Sequence, residues 1–99
     1  MTGEVLSEEH KLTLNDICES CGLSVSKVRT YIEESVVEVQ GDDVKLWRFS
    51  EVSVVKIQKA HRLERDLRLN PAGAALALDL MSQIEELKNQ LRRSQQASQ

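Results

Sequence analysis

The chain has 99 residues and a formal net charge of −3, with 40% hydrophobic and only 3% aromatic residues. That length fits one domain with a modest core; no apolar run approaches the ~18 residues that span a bilayer, which argues against a membrane protein and predicts a cytosolic one. Residues 1–49 hold ten carboxylates against five cations, whereas residues 50–99 hold eight cations against six carboxylates, and an acidic front half suits a basic partner and repels phosphate.

Residues 1–11 lack periodicity and read as a loose polar leader without signal-peptide character. Thr13-Leu14-Asn15-Asp16 is a helix start, with Thr13 as cap and Asp16 reaching back to it. The helix from Leu14 places Leu14, Ile17, Cys18 and Cys21 on one side and ends at Gly22. Ser24 caps a second helix, in which Val25, Val28, Tyr31 and Ile32 recur at helical spacing. Two short helices joined through Gly22-Leu23-Ser24 make a helix-turn-helix unit.

Residues 36–39 are β-branched, Gln40-Gly41-Asp42-Asp43 is turn chemistry, and residues 44–49 alternate. Together they predict a β-hairpin, a wing after the helix pair. Ser50 is the expected cap of a third helix running through Val54, Ile57, Ala60, Leu63 and Leu67 to about Leu69. Asn70-Pro71 breaks it, and Pro71 suits the first turn of a fourth helix over residues 71–93. Leu80, Ile84, Leu87 and Leu91 are spaced as an a/d seam, extended backward by Ala77. Residues 94–99 are polar and should fray. The expected organisation is therefore a leader (1–11), a winged helix-turn-helix head with its third helix (12–69), a C-terminal dimerisation helix (70–93) and a disordered tail (94–99).

The chemistry-bearing residues point away from catalysis. Cys18-Glu19-Ser20-Cys21 is a CxxC, but a structural zinc needs four ligands, and His10 and His61 stand at no finger spacing. Semi-buried, reduced, metal-free thiols are expected. His61 has no positioned carboxylate that would make it a general base. There is no nucleophile motif and no glycine-rich phosphate loop, so neither an enzyme nor a cofactor is predicted. On the third helix Lys56, Lys59, Arg62, Arg65 and Arg68 form a basic run, read as a solvated face with i,i+4 pairs Arg62–Asp66 and Glu64–Arg68. The seam of the fourth helix outlasts the head it could cover, which predicts self-association through Leu76, Leu80, Ile84, Leu87 and Leu91.

Gly22-Leu23-Ser24, Arg29, Tyr31 and Val36-Val37, followed by a hairpin and Ser50, resemble the head of MerR-type regulators. Thr30 stands where such heads carry a second tyrosine, and the second helix is less basic than theirs; both count against DNA reading. Residues 62–70, residues 73–81, Ile84-Glu85-Glu86-Leu87, Trp47-Arg48-Phe49 and Cys18 make the chain similar to the CbpM family of chaperone modulators from about Leu12 to Leu91. This resemblance implies a mainly α, MerR-like winged helix-turn-helix fold whose long helices pair antiparallel. It also implies binding to the J-domain of a CbpA-like, DnaJ-type co-chaperone, blocking its stimulation of the chaperone DnaK and its DNA binding. An acidic head suits a J-domain's basic helix, and the expected contacts are Asp16, Glu19, Glu33, Glu34 and Glu38. The rival readings are a MerR-like DNA-binding transcriptional regulator and a phage-type or excision accessory protein; both need a basic recognition surface.

Overall fold

The computed structural model describes residues 10–97, and the first nine residues of the expected leader lie outside them. The described residues form four α-helices: α1 (Leu14–Cys21), α2 (Val25–Glu33), α3 (Glu51–Leu67) and α4 (Pro71–Ala97).

Local chemistry fixes the first two. Thr13 and Asp16 close a reciprocal capping box, with the Thr13 amide donating to Asp16 Oδ2 (2.9 Å) and the Asp16 amide to Thr13 Oγ1 (3.1 Å). Gly22 ends α1 at φ 66°, its amide reaching back to the Cys18 carbonyl. That positive φ is what the glycine supplies, since a Cβ there would meet nothing within 4 Å. Ser24 Oγ accepts from the Lys27 amide (3.1 Å) to start α2. At the other end Ser35 takes φ 62°, so that the Val36 amide bonds the Tyr31 carbonyl (2.9 Å). This Schellman-type exit turns Val36 and Val37 inward, where both are buried.

The expected hairpin is not built as two regular strands. Gln40 and Arg48 exchange both backbone hydrogen bonds (3.1 and 2.9 Å), and Leu12 and Phe49 do the same (2.9 and 2.7 Å). Each is an isolated bridge, and residues 44–46, read as strand, form a 3-10 turn (Val44–Leu46). The reason is local capping: Asp43 Oδ1 accepts from the Lys45 amide (3.2 Å), which coils the chain just where alternation predicted an extended segment. The wing is thus a loop pinned at its base.

The third helix also departs from expectation at both ends. Ser50 is its N-cap but makes no side-chain capping bond. The helix stops at Leu67, not Leu69, because Arg68 adopts a left-handed conformation (φ 56°) and its amide closes on Glu64. Asn70 then caps α4 by accepting from the Gly73 amide (2.7 Å), with Pro71 as first helical residue. At the far end α4 runs past Arg93 to Ala97, so residues 94–97 of the expected frayed tail are helical. Gln95, Gln96 and Ala97 carry good helix propensity there.

Ile17, Val28, Tyr31, Phe49, Ile57, Ala60 and Ala74 are fully buried, so every helix contributes to one core. α4 packs mostly on α3 and touches α2. Its small residues Ala74 and Ala75 allow the close approach. A 27-residue helix is about 40 Å long, more than the head can cover. The radius of gyration of 16.0 Å accordingly exceeds the ~13 Å of a compact domain this long.

Candidate interaction surfaces

The five acidic residues singled out in the sequence sit on different elements. Glu19, Glu33, Glu34 and Glu38 are exposed, while Asp16 is half-buried. Asp16 is committed to the capping box; the Thr13 backbone and side-chain hydrogen bonds, more than the charge of Arg48, hold its carboxyl below the usual value. Glu19 accepts from Asn15 Nδ2 (3.3 Å) on α1. Glu33 ends α2 and Glu34 is its C-cap. Glu34 borders a shallow concavity with Leu76 and Asp79 of α4, whereas Glu38 lines another with His10, Ser50, Val52 and Lys56. The structure therefore spreads these carboxylates around the head rather than gathering them in one cluster.

A sixth carboxylate, not anticipated as important, organises the inside of the head. Glu64 Oε1 accepts from Lys27 Nζ (2.7 Å), and Glu64 Oε2 accepts from the Tyr31 hydroxyl. Lys27 also stands 5.2 Å from the Tyr31 ring centroid. Burial pushes the Glu64 pKa up, but the hydrogen bonds from Lys27 and Tyr31, then the charges of Lys27 and His61, outweigh it and leave the carboxyl below its ordinary value. Tyr31 is pushed well above its ordinary value by burial and by the hydrogen bond to Glu64. Helical spacing was the available signal: Ser53, Ile57, Ala60 and Glu64 fall on one inward stripe.

This pairing removes the expected Glu64–Arg68 contact, since Glu64 points inward and Arg68 has left the helix. The expected Arg62–Asp66 pair is replaced by Arg65 Nε–Asp66 Oδ1 at 3.3 Å. It also changes the recognition helix: of the two cations on α2, Lys27 is neutralised by Glu64, leaving Arg29 exposed.

The second surface is the seam of α4. Leu76, Leu80, Ile84, Leu87 and Leu91 are between 47% and 62% exposed, and Met81 beside them is 50% exposed. Along α4 the acidic Asp79, Glu85 and Glu86 all precede the basic Lys88, Arg92 and Arg93, with only Asp79 before the central Ile84.

Cys18 and Cys21 are free, half-buried thiols, and burial raises both pKa values. Such thiols are poor nucleophiles. Among the described residues no three His, Cys, Asp or Glu side chains are grouped so as to hold a metal ion. No described helix is long and apolar enough to cross a membrane.

Comparison with known proteins places these surfaces in context. The family described as MerR HTH family regulatory protein matches residues 12–96. The chain is 28% identical over 90 residues to the chaperone modulatory protein CbpM of Coxiella burnetii (strain Dugway 5J108-111), covering 91% of this chain and 85% of that one. It is 28% identical over 80 residues to the CbpM of Pseudomonas entomophila (strain L48) and 25% to that of Pseudomonas putida (strain W619), covering 81% of this chain and 79% of theirs in both cases.

Proposed function

The chain belongs to the family of MerR HTH regulatory proteins, and from that premise we propose that it is a non-enzymatic, cytosolic inhibitor of a CbpA-like, DnaJ-type co-chaperone. It binds the J-domain and withholds it from DnaK. The observation that carries this reading is similarity to CbpM proteins over most of the chain. Occlusion of one surface is all that inhibition requires, so no catalytic group is invoked.

The electrostatics support a protein partner over DNA. Phosphate contacts supply most non-specific DNA affinity, and a helix entering the major groove needs exposed cations. Here α2 offers Arg29 with Lys27 tied to Glu64, while Glu33, Glu34, Asp42 and Asp43 are exposed around it and at the wing tip. DNA binding by the isolated protein is accordingly weak and unspecific; a tight, sequence-specific gel-shift complex at physiological salt would reverse that statement.

The protein acts as a homodimer through Leu76, Leu80, Ile84, Leu87 and Leu91. Antiparallel pairing centred on Ile84 sets Asp79 of one helix near Lys88 of the other, which supports that orientation. Within one chain Arg92–Glu85 and Arg93–Glu86 meet only at 4.0 and 3.7 Å on the exposed surface, so they are weakly held and free to re-pair.

The test is a calorimetric titration of the purified chain with the J-domain of the same organism's CbpA-like protein, alongside J-domain-stimulated ATP hydrolysis by DnaK. Saturable binding and loss of the stimulation are expected. No heat and undiminished stimulation would remove the proposal.

A further inference from the structure

α3 carries a surface that the J-domain reading does not use. Lys56 and Lys59 are exposed and, among the described residues, form no ion pair or hydrogen bond. The carboxylates that share a concavity with them, Glu38 and Asp79, pair with neither lysine. Val52 and Val55 are 59% and 49% exposed on the same side. Between α3 and α4 these four line a groove of about 280 Å³ whose apolar lining is completed by Val36, Ala75 and Leu78. Cations stand on its α3 wall. On the α4 wall Asp79 accepts from Gln83 Nε2 (3.0 Å).

Two features select the ligand. Unpaired lysines one turn apart attract carboxylates, and unlike the concavity lined by His61, Arg62 and Arg65 this groove sets exposed valines beside its cations. Exposed valines beside them gain nothing from a phosphate backbone but do gain from apolar side chains. On α4 the groove residues Ala75, Leu78, Asp79 and Ser82 point away from the Leu80–Leu91 seam by helical geometry, so pairing of the seams leaves the groove open.

We infer that the α3–α4 groove is a docking site for an acidic, apolar-bearing segment of a partner protein, and that it adjoins the proposed J-domain carboxylates Glu34 and Glu38. The segment lays its carboxylates against Lys56 and Lys59 and its apolar side chains on Val52, Val55 and Leu78. Asp79 fixes its orientation by excluding carboxylates from the opposite wall.

The experiment uses the full chain and a short labelled peptide with Glu and Leu sharing one helical face, followed by fluorescence anisotropy and by amide chemical shifts. Shifts are expected at Val52, Val55, Lys56, Lys59, Ala75 and Leu78. Lys56→Glu with Lys59→Glu should weaken binding about tenfold or more, as expected for reversal of two charge contacts, while its urea midpoint stays unchanged. Val55→Ser, and a peptide with Leu replaced by Ser, should each bind several-fold more weakly. Unchanged affinity in the doubly reversed variant overturns the inference. So does equal binding of the Leu-to-Ser peptide, which would mean charge alone, or preferential binding of a DNA duplex at the same residues. A rise in peptide affinity on deleting residues 1–9 also overturns it, by showing that this chain's own acidic start occupies the groove.

Discussion

The head and the distal part of α4 treat their apolar residues in opposite ways. In the head Ile17, Val28, Tyr31, Phe49 and Ile57 are fully buried, whereas in α4 Leu80, Ile84, Leu87 and Leu91 are about half exposed or more. The same helix crosses from one regime to the other: Ala74 is fully buried and Leu78 packs against the core, while Leu80 onward is left uncovered. Small residues let the first turns sit close on α3, and beyond them the head has no surface to offer. A chain can therefore be complete as a fold and incomplete as a surface, and the boundary lies inside one helix.

The largest expected effect breaks the first half of that comparison. Phe49→Ala removes a wholly buried ring that packs edge-on to Trp47 at 6.4 Å between centroids. It should cost the head about 3–5 kcal/mol, read as a lower urea midpoint by Trp47 fluorescence. A change below about 1 kcal/mol would mean that the core does not close around Phe49.

Ile84→Asp acts on the other half. In a monomer Ile84 is 52% exposed and an aspartate there would be harmless. In a paired seam it is a buried, unpartnered charge. Sedimentation should show a wild-type dimer at tens of micromolar and a monomeric variant, a dissociation constant raised at least 100-fold, or about 2.7 kcal/mol. A wild-type monomer at that concentration, where an association of only roughly −6 kcal/mol would be visible, would sink the dimer.

Glu64 sharpens the comparison by testing what closes the head besides apolar packing. Glu64→Gln keeps the shape but loses the charge that answers Lys27, with side chains 12% and 29% exposed respectively. A loss of about 1–2 kcal/mol is expected, in the lower range for hydrogen bonds to a charged group because the pair is only partly buried. Its carboxyl pKa is lowered in the folded state, so its contribution is present above the unfolded carboxylate value and disappears as pH falls through the lower, folded value. The wild type should lose this increment on the acid side, and the Gln variant should show a flatter acid limb in pH-dependent urea melts.

Most of this was legible before the structure, for identifiable reasons. Caps and helix breakers act within a few residues, so Thr13, Asp16, Gly22, Ser24 and Pro71 could be placed from spacing alone. At residues 44–49 alternation predicts a strand, but the Asp43 side chain captures the Lys45 amide and coils the chain there. Spacing predicts i,i+4 partners for the basic run on α3, and nothing local in the sequence shows that Glu64 belongs to a residue 37 positions away. The exposure of the seam followed from length, since the helix visibly outruns the head. The spread of the acidic residues over separate elements did not follow, because it depends on how α1 and α2 pack.

The smallest expected effect concerns the acidic surface itself, and it tests whether the closed head also serves as a docking face. Glu33 and Glu34 stand at the C-terminal end of α2, where the helix dipole disfavours negative charge. Both are exposed, and among the described residues neither forms an ion pair. Glu33→Lys with Glu34→Lys should therefore leave the fold intact and could only favour the helix, since cations at that end are worth roughly 0.3–1 kcal/mol. Any loss of J-domain binding can then be ascribed to the contact and not to unfolding. Rim charges act on encounter more than on the bound state, so the association rate should fall several-fold at low salt. The difference should shrink as ionic strength rises and the screening length contracts to about 8 Å near physiological salt. Stopped-flow mixing across a salt series reads both quantities. An unchanged rate and salt slope, with the urea midpoint preserved, would move the J-domain contact off the end of α2 and onto α3 or the wing around Trp47.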